Sequence, residues 1–446
     1  MSFINETTPV VALPEIEVFE TIPVQTTIEQ TIDEAIIPIS QLNSGAHVEF
    51  IIKTSENEFI KVIDTMLQTR FRVKLSKNDS TPITDEDWNK VSMINNPADS
   101  LWAQIDVSIG ETQTTKPLHT HAYKAYISTI LNTPKEVKDT FLKLRGYTED
   151  NFSSDKRHKP NESRNKLIRW KSGDKTFGRL CEFWAPLHVD LFQQSKDLIG
   201  GLTIKIRLIP NRPEHFFMTD DTKLLPSIHF EDIYLHIRQR QINGDVALGV
   251  LQGVSISPAK YPINRVEVRS YTIDRGTTMR NLENIIVGTI PRRVYIAFVN
   301  NESFAGSYTK NPFYFQHYDI SSIGCYVNSE LISRRPYKPE YDLEYLGYEY
   351  IKFLKISGQY NNGILTGITP EQYKNGYTIF AFDLTRDNSY GFLKSGYVDV
   401  PKRYSSLRFT VHFKTALQET ISAIIYCEWD DIVFIDSLKN AHVTTD

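Results

Sequence analysis

Cysteine is scarce in this 446-residue chain: Cys181, Cys325 and Cys427 are the whole complement. An odd number of widely spaced thiols supports neither a disulfide framework nor a zinc site. Each sits in an apolar, strand-like run, so all three are expected as buried thiols kept reduced. Long hydrophobic runs are missing too; none approaches the ~20 residues that a membrane-crossing helix requires. The start, MSFINETTPVVALPEIEVFE, has no basic region followed by an apolar core and does not read as a signal peptide. No excess of positive charge exists either. Fifty Lys and Arg against 54 Asp and Glu leave a net charge of −4, which does not advertise nucleic-acid binding. These absences predict a chain made inside a cell, with no transmembrane segment.

What is present is globular in balance: 40% hydrophobic and 23% charged residues, enough for sizeable cores. The length suits about two or three ordinary domains. Residues 1–40 hold seven acidic residues and no Lys or Arg; the first cation is Lys53. Apolar residues there keep no sustained period of 2 or 3.6. Residues 1–44 are therefore expected as an extended acidic arm that orders, if at all, against a neighbour. Its sign rules out neutralising DNA phosphates.

From about residue 45 the pattern is β. In LTIKIRL, Leu202, Ile204, Ile206 and Leu208 alternate with polar residues; SLRFTVHF repeats this with Leu407, Phe409, Val411 and Phe413. WAQIDVSIG, CEFWAPLHVDLF, SIHFEDIYLHIRQ, RVEVRSYTI, RVYIAFV, YEYIKFLKI, YTIFAFDL and ISAIIYCEW supply further strands. Helices are few. TPKEVKDTFLKLRG offers Thr133 as N-cap, Pro134 at the first helical position, Glu136 closing a capping box and Gly146 as a stop. AYKAYISTILN places Tyr123, Tyr126, Ile127, Ile130 and Leu131 on one face, and TPEQYKNG repeats the Thr-Pro-Glu start at Thr369. Helices confined to long connections disfavour parallel βαβ winding and favour antiparallel sandwiches. A break near residues 242–260 divides the chain into 45–245, carrying an insertion at about 111–177, and 246–446. Each half suits a sandwich of about eight strands. Long connections are expected near 55–100, 111–177, 300–318 and 335–347.

No phosphate-binding glycine loop, nucleophile elbow, H-E-x-x-H or EF-hand motif occurs. His119 and His121 would share a face on a strand, but no third ligand is nearby and they read as a loop pair before a helix; His229 and Glu231 would likewise share a strand face. Glu428, Asp430 and Asp431 read as solvated carboxylates at a turn or strand end rather than an acid/base site. The basic stretch 156–171 reads as a solvated loop or an intersubunit salt-bridge surface rather than a nucleic-acid platform built on Trp170. Within 292–332, Val294, Ile296 and Phe298 form an inward strand face. Phe304, Tyr308, Phe313, Tyr314, Phe315 and Tyr318 then crowd around Gly306 and Asn311-Pro312. Tyrosine hydroxyls need partners, so this loop packs on something: a satellite core of its own chain, or another surface.

Pro291-Arg292-Arg293, followed by FAGSYTKNPFYFQHY from Phe304 to Tyr318, resembles the second jelly roll of the double jelly-roll major capsid proteins of Polinton (Maverick) elements and adintoviruses. GITPEQYKNGYTIFAFDLTRD (367–387), ISAIIYCEWDDIVFIDSLKN, APLHVDLFQQSKDLIGGLTIKIRLIPN and AKYPINRVEV match further segments in order. The resemblance covers about 180–441, while residues 1–100 and the insertion at 135–175 carry no recognisable match and no role is implied for them. It implies two consecutive jelly rolls that trimerise into pseudo-hexagonal capsomers tiling an icosahedral shell around double-stranded DNA. The implied partners are copies of the chain and penton or minor capsid proteins, with no sequence-specific nucleic-acid contact. It also implies location in the virion after synthesis in the host cytoplasm. No catalytic, cofactor or metal residue is implied. Arg292, Arg293, Phe304, Gly306, Tyr308, Asn311, Pro312, Phe313, Phe315, His317 and Tyr318 become the candidate interface or structural motif, and the acidic arm would grip neighbouring capsomers or minor proteins. The competing reading is a β-sandwich carbohydrate-binding protein or glycosidase, whose two carboxylates would lie about 5–10 Å apart.

Overall fold

The alternation in LTIKIRL is realised as a strand, Thr203–Pro210, with Ile204, Ile206 and Leu208 buried and Lys205 and Arg207 in water. Each side chain so buried contributes about 1.5–3 kcal/mol relative to exposure. SLRFTVHF behaves alike within Ser405–Phe413. The computed structural model describes residues 24–42, 46–169, 175–332, 335–341, 346–362, 366–385 and 405–443.

Among the described residues, eight strands form the main path of a first sandwich: β1 (Ile28–Ile36), β2 (Val48–Lys53), β3 (Met66–Lys77), β4 (Trp102–Ile109), β5 (Thr112–Gln113), β6 (Phe177–Pro186), β7 (Thr203–Pro210) and β8 (Leu224–Ile242), with the short strand Glu58–Ile60 beside β8. Their sheets run β1-β8-β3-β6 and β2-β7-β4-β5. Eight more follow: β9 (Ala259–Ile273), β10 (Met279–Gly288), β11 (Arg293–Asn300), β12 (Ile320–Val327), β13 (Glu330–Leu331), β14 (Ile379–Asp383), β15 (Ser405–Phe413) and β16 (Ile421–Ile435). These form β9-β16-β11-β14 and β10-β15-β12-β13. Counted from the start of each set, the two orders are identical, 1-8-3-6 and 2-7-4-5. All ladders among the named strands are antiparallel. The fold is a double jelly roll.

Several expectations need correction. The acidic segment is not wholly an arm awaiting a neighbour. Its residues 28–36 pair with Leu235–Ile242 of β8 as the first strand of the first sandwich, tied down by Asp33 to Arg238 at 2.7 Å. Cross-strand hydrogen bonds and a cation opposite the carboxylate fix it, where composition had suggested no period. Residues 1–23 lie outside the described residues. The connection placed at 55–100 contains β3, whose MLQTRFRVKLSK buries Leu67, Phe71, Val73 and Leu75. YEYIKFLKI is helical, not extended: Gly347–Ile356 turns Phe353 and Ile356 inward. Thr133 ends a helix instead of starting one, because its N–H bonds back to Thr129. The next segment splits into Lys135–Asp139 and a 3₁₀ turn, Phe141–Arg145, stopped by left-handed Gly146 as expected.

The helices used below are α1 (His121–Asn132), α2 (Glu162–Ile168), α3 (Gly244–Ile256), α4 (Gly347–Ile356) and α5 (Pro370–Lys374). Helix α3 occupies the break near 242–260, where three glycines lower helix propensity and hid it. Helix α5 starts with the capping box Thr369–Gln372. Among the described residues, no helix is long and apolar enough to cross a membrane. Cys181, Cys325 and Cys427 are free and buried in β6, β12 and β16, and burial raises each thiol's pKa.

Candidate functional site

Strand β11 has all eight residues buried, because both its faces are covered. Val294, Ile296 and Phe298 point into the second sandwich with Phe382, Phe409 and Ile425. Tyr295, Ala297 and Val299 point the other way, into a separate core shared with α1 and α4. Such double burial is why RVYIAFV reads as an unbroken apolar run.

The aromatic loop that follows completes this second core. Asn300 caps a short helix, Asn301–Ala305, by accepting the N–H groups of Glu302 and Ser303. Gly306 then takes φ 105°, and a Cβ there would meet the His215 ring at 2.6 Å, so glycine is needed both for conformation and for space. The Asn311 side chain accepts the Phe313 N–H at 2.9 Å, and with Pro312 turns the chain so that Phe313, Tyr314 and Phe315 are buried. Phe313 stacks on Tyr126 of α1, centroids 3.9 Å apart, and meets Tyr123 edge-on at 5.6 Å. Phe304 lies against Tyr123 and Phe315 against Tyr126. The face predicted on α1 and the loop predicted to pack on something therefore cover each other. The partner is an insertion of the first jelly roll in the same chain.

The rest of the motif anchors this seam. The Tyr308 carbonyl accepts the Thr219 N–H at 2.7 Å. His317 stacks on Tyr341 at 4.0 Å and faces Asp319. The Tyr318 hydroxyl donates to Glu419 at 3.1 Å. From the basic stretch, Arg157 lies over the Tyr314 ring, and His158 Nδ1 accepts the Asn311 N–H. Arg164, in α2, is not solvated as expected. It is 1% exposed and held by the Met93 and Thr148 carbonyls and by Asp150. Trp170 lies outside the described residues.

Beneath the seam runs a row of buried charge. Arg293 stands opposite Glu428 in register and pairs with it at 2.6 Å, while its other amino group donates to the Ile356 carbonyl at the end of α4. Burial pulls the Arg293 pKa down, but the Glu428 carboxylate outweighs it and the net direction is up. Arg292 pairs with Asp430 at 2.8 Å. Arg265 reaches Asp431 at 3.4 Å and lies over the Trp429 ring. Glu428 and Asp431 are thus mid-strand and buried, not solvated at a strand end as expected. Sheet register places arginines beside them, which the local run CEWDDIV cannot reveal.

Other candidates are not brought together. His119 is exposed with φ 51°, whereas His121 is buried as the first residue of α1. Near Glu231 the strand register shifts; His229 meets the Phe177 ring and Glu231 pairs with Arg72. Among the described residues, no group of three or more His, Cys, Asp or Glu is placed to hold a metal ion.

No protein-family model matches the chain. A curated, uncharacterised protein of Caenorhabditis elegans is 23% identical over 410 residues, 88% of this chain and 92% of its own length. Among solved structures, a chain of the Sputnik virophage superposes with a TM-score of 0.66 at 14% identity, over 100% of this chain and 95% of that one. The mavirus major capsid protein matches at 0.55 and 13% identity, over 100% and 97%. The faustovirus major capsid protein matches at 0.57 and 8% identity, over 94% and 92%.

Proposed function

We propose that this chain is a major capsid protein of the hexon type. Three copies form a capsomer in which six similar sandwiches approximate a hexagon, and capsomers tile a shell around double-stranded DNA. The observation that carries this reading is the repeated connectivity: two jelly rolls of identical strand order, fixed to each other by a buried aromatic seam. A rigid double unit of that kind is what threefold symmetry must repeat to give a six-lobed ring. Likeness to the mavirus and faustovirus capsid proteins along nearly all of both chains supports it.

The trimer would be a closed ring of heterologous contacts, and permanent interfaces of this class bury about 2,000–5,000 Å² or more. In this reading the 292–318 motif is structural, stiffening the double unit, and the trimer contacts lie elsewhere on the surface. The remaining partners are neighbouring capsomers and penton or minor capsid proteins, the location is the virion, and synthesis is in the host cytoplasm. The segments quoted between 180 and 441 support membership of the Polinton and adintovirus family. Against the glycosidase reading, Glu428 and Asp431, carboxylates the sequence offered, are buried against arginines.

The test is the native mass of the purified full-length protein, followed by imaging of the same peak. A species of about three times 51.4 kDa with a hexagonal outline is expected. A protein that stays monomeric at high concentration, alone and with co-expressed minor proteins, would overturn the capsomer.

A further inference from the structure

A polar cavity of about 170 Å³ lies between the two jelly rolls, walled by α1 and its preceding loop, by residues 188–190 and by β9. The N-terminus of α1 opens into it. Twelve residues long, this helix has no acidic residue in its first turn. Its N-cap, Thr120, gives no side-chain cap, because its hydroxyl donates to the Val268 carbonyl at 3.0 Å. The first-turn N–H groups of a helix have no intrahelical acceptor and carry the positive end of its dipole.

Four side chains around that end are donors: His121, Arg265, Lys124 and Lys116. His121 is 8% exposed, lines the cavity, and its Nε2 has no hydrogen-bond partner. Arg265, also 8% exposed, lines the cavity with Nε and Nη1 lacking aligned acceptors, though Glu267 and Asp431 stand 3.5 and 3.4 Å away. Lys124 and Lys116 complete the wall. Of the carboxylates facing them, Asp190 is committed to Lys124 at 2.6 Å and to the Val266 N–H, and Glu267 Oε2 to Arg269; Glu267 Oε1 lies 3.1 Å from Lys116 but, like Gln104 Oε1, lacks an aligned donor. His188 lies edge-on to His121, ring centroids 6.3 Å apart. Burying the His121 and Arg265 nitrogens without aligned acceptors is costly, and one small anion would satisfy them together with the helix N–H groups.

We propose that this cavity is a binding site for a free tetrahedral oxyanion, phosphate or sulfate, which ties α1 of the first jelly roll to β9 of the second. His121 Nε2, the first-turn N–H groups of α1 and Arg265 are its donors, and Lys116 and Lys124 supply the surrounding positive potential. No motif announces the site, since its parts come from three separate segments.

The experiment titrates inorganic phosphate into the full-length protein in chloride buffer at constant ionic strength, read by calorimetric titration and by melting temperature. One saturable site per chain and a melting temperature that rises to a plateau are expected. His121→Phe should bind phosphate about tenfold or more weakly, and Lys116→Met, at an accessible position, should weaken it in the same direction without loss of fold. Sulfate should compete with phosphate. Absence of saturable binding to the unmodified protein, or equal affinity in both variants, would overturn the proposal. Displacement of phosphate by a short DNA duplex would also overturn it, by reassigning the site to a nucleic-acid backbone.

Discussion

Tyr126 and Phe313 stack ring on ring at 3.9 Å with an interplanar angle of 15°, joining an insertion of the first jelly roll to a loop of the second. Both are fully buried. Removing either ring opens a cavity in the core that bridges these two elements.

Phe313→Ala is expected to cost about 3–5 kcal/mol by chemical denaturation. In a double-mutant cycle with Tyr126→Ala, the pair should show a coupling of about 0.5–1.5 kcal/mol. Strict additivity, within about 0.3–0.5 kcal/mol, would mean that the rings do not share one environment.

Arg293→Met leaves the buried Glu428 with only the more distant Arg292, 3.8 Å away, among its two arginine partners, and should destabilise by about 3 kcal/mol. Adding Glu428→Leu removes the stranded carboxylate and should restore much of the loss. A double variant worse than the single would show that the pair contributes net stability beyond mutual neutralisation.

Acid should weaken the seam through two histidines. Burial holds the His121 pKa down at about 3, helped by Lys124, and burial holds His188 well below its ordinary value, helped by His121 and Lys124. A group whose pKa is lower folded than unfolded binds more protons when unfolded, so stability falls as pH drops below about 6.5. For His121 the loss continues toward pH 3, at about 1.4 kcal/mol per pH unit, and His188 adds a loss in the same direction. Denaturation midpoints in chloride buffer between pH 7.5 and 5 should therefore fall, and His188→Phe should flatten the slope. An unchanged slope in that variant would place the acid sensitivity elsewhere.

Local alternation revealed the sandwiches well. Strands such as 203–210 and 405–413 carry their inward faces in their own residues, and the aromatic face of α1 was legible because 3.6-residue spacing needs no partner to be seen. What failed had causes outside the local run. Strand β1 is held by ladder bonds to β8 and shows water on both faces, so it has no hydrophobic period to read. In α4, Phe353 and Ile356 face inward as on a helix, but β-branched and aromatic residues made YEYIKFLKI look extended. The charge row and the cavity at α1 depend on register between strands far apart in sequence. His188 and Arg265 carried no signal until the sheets brought them together.

The identical strand orders also set a timetable for synthesis. The first jelly roll has all its strands once Ile242 emerges, and from then on the face of α1 that carries Tyr123, Tyr126 and Ile130 waits uncovered until Phe313 follows. Exposed apolar surface on a half-made chain invites aggregation. A chain stopped at Pro258 is expected to fold its sandwich yet precipitate, and to regain solubility when those three residues are made polar; sedimentation of the two truncated forms measures it. The aromatic loop thus acts as a late lid on a sticky intermediate, and the delay between the two halves marks when this protein most needs a chaperone.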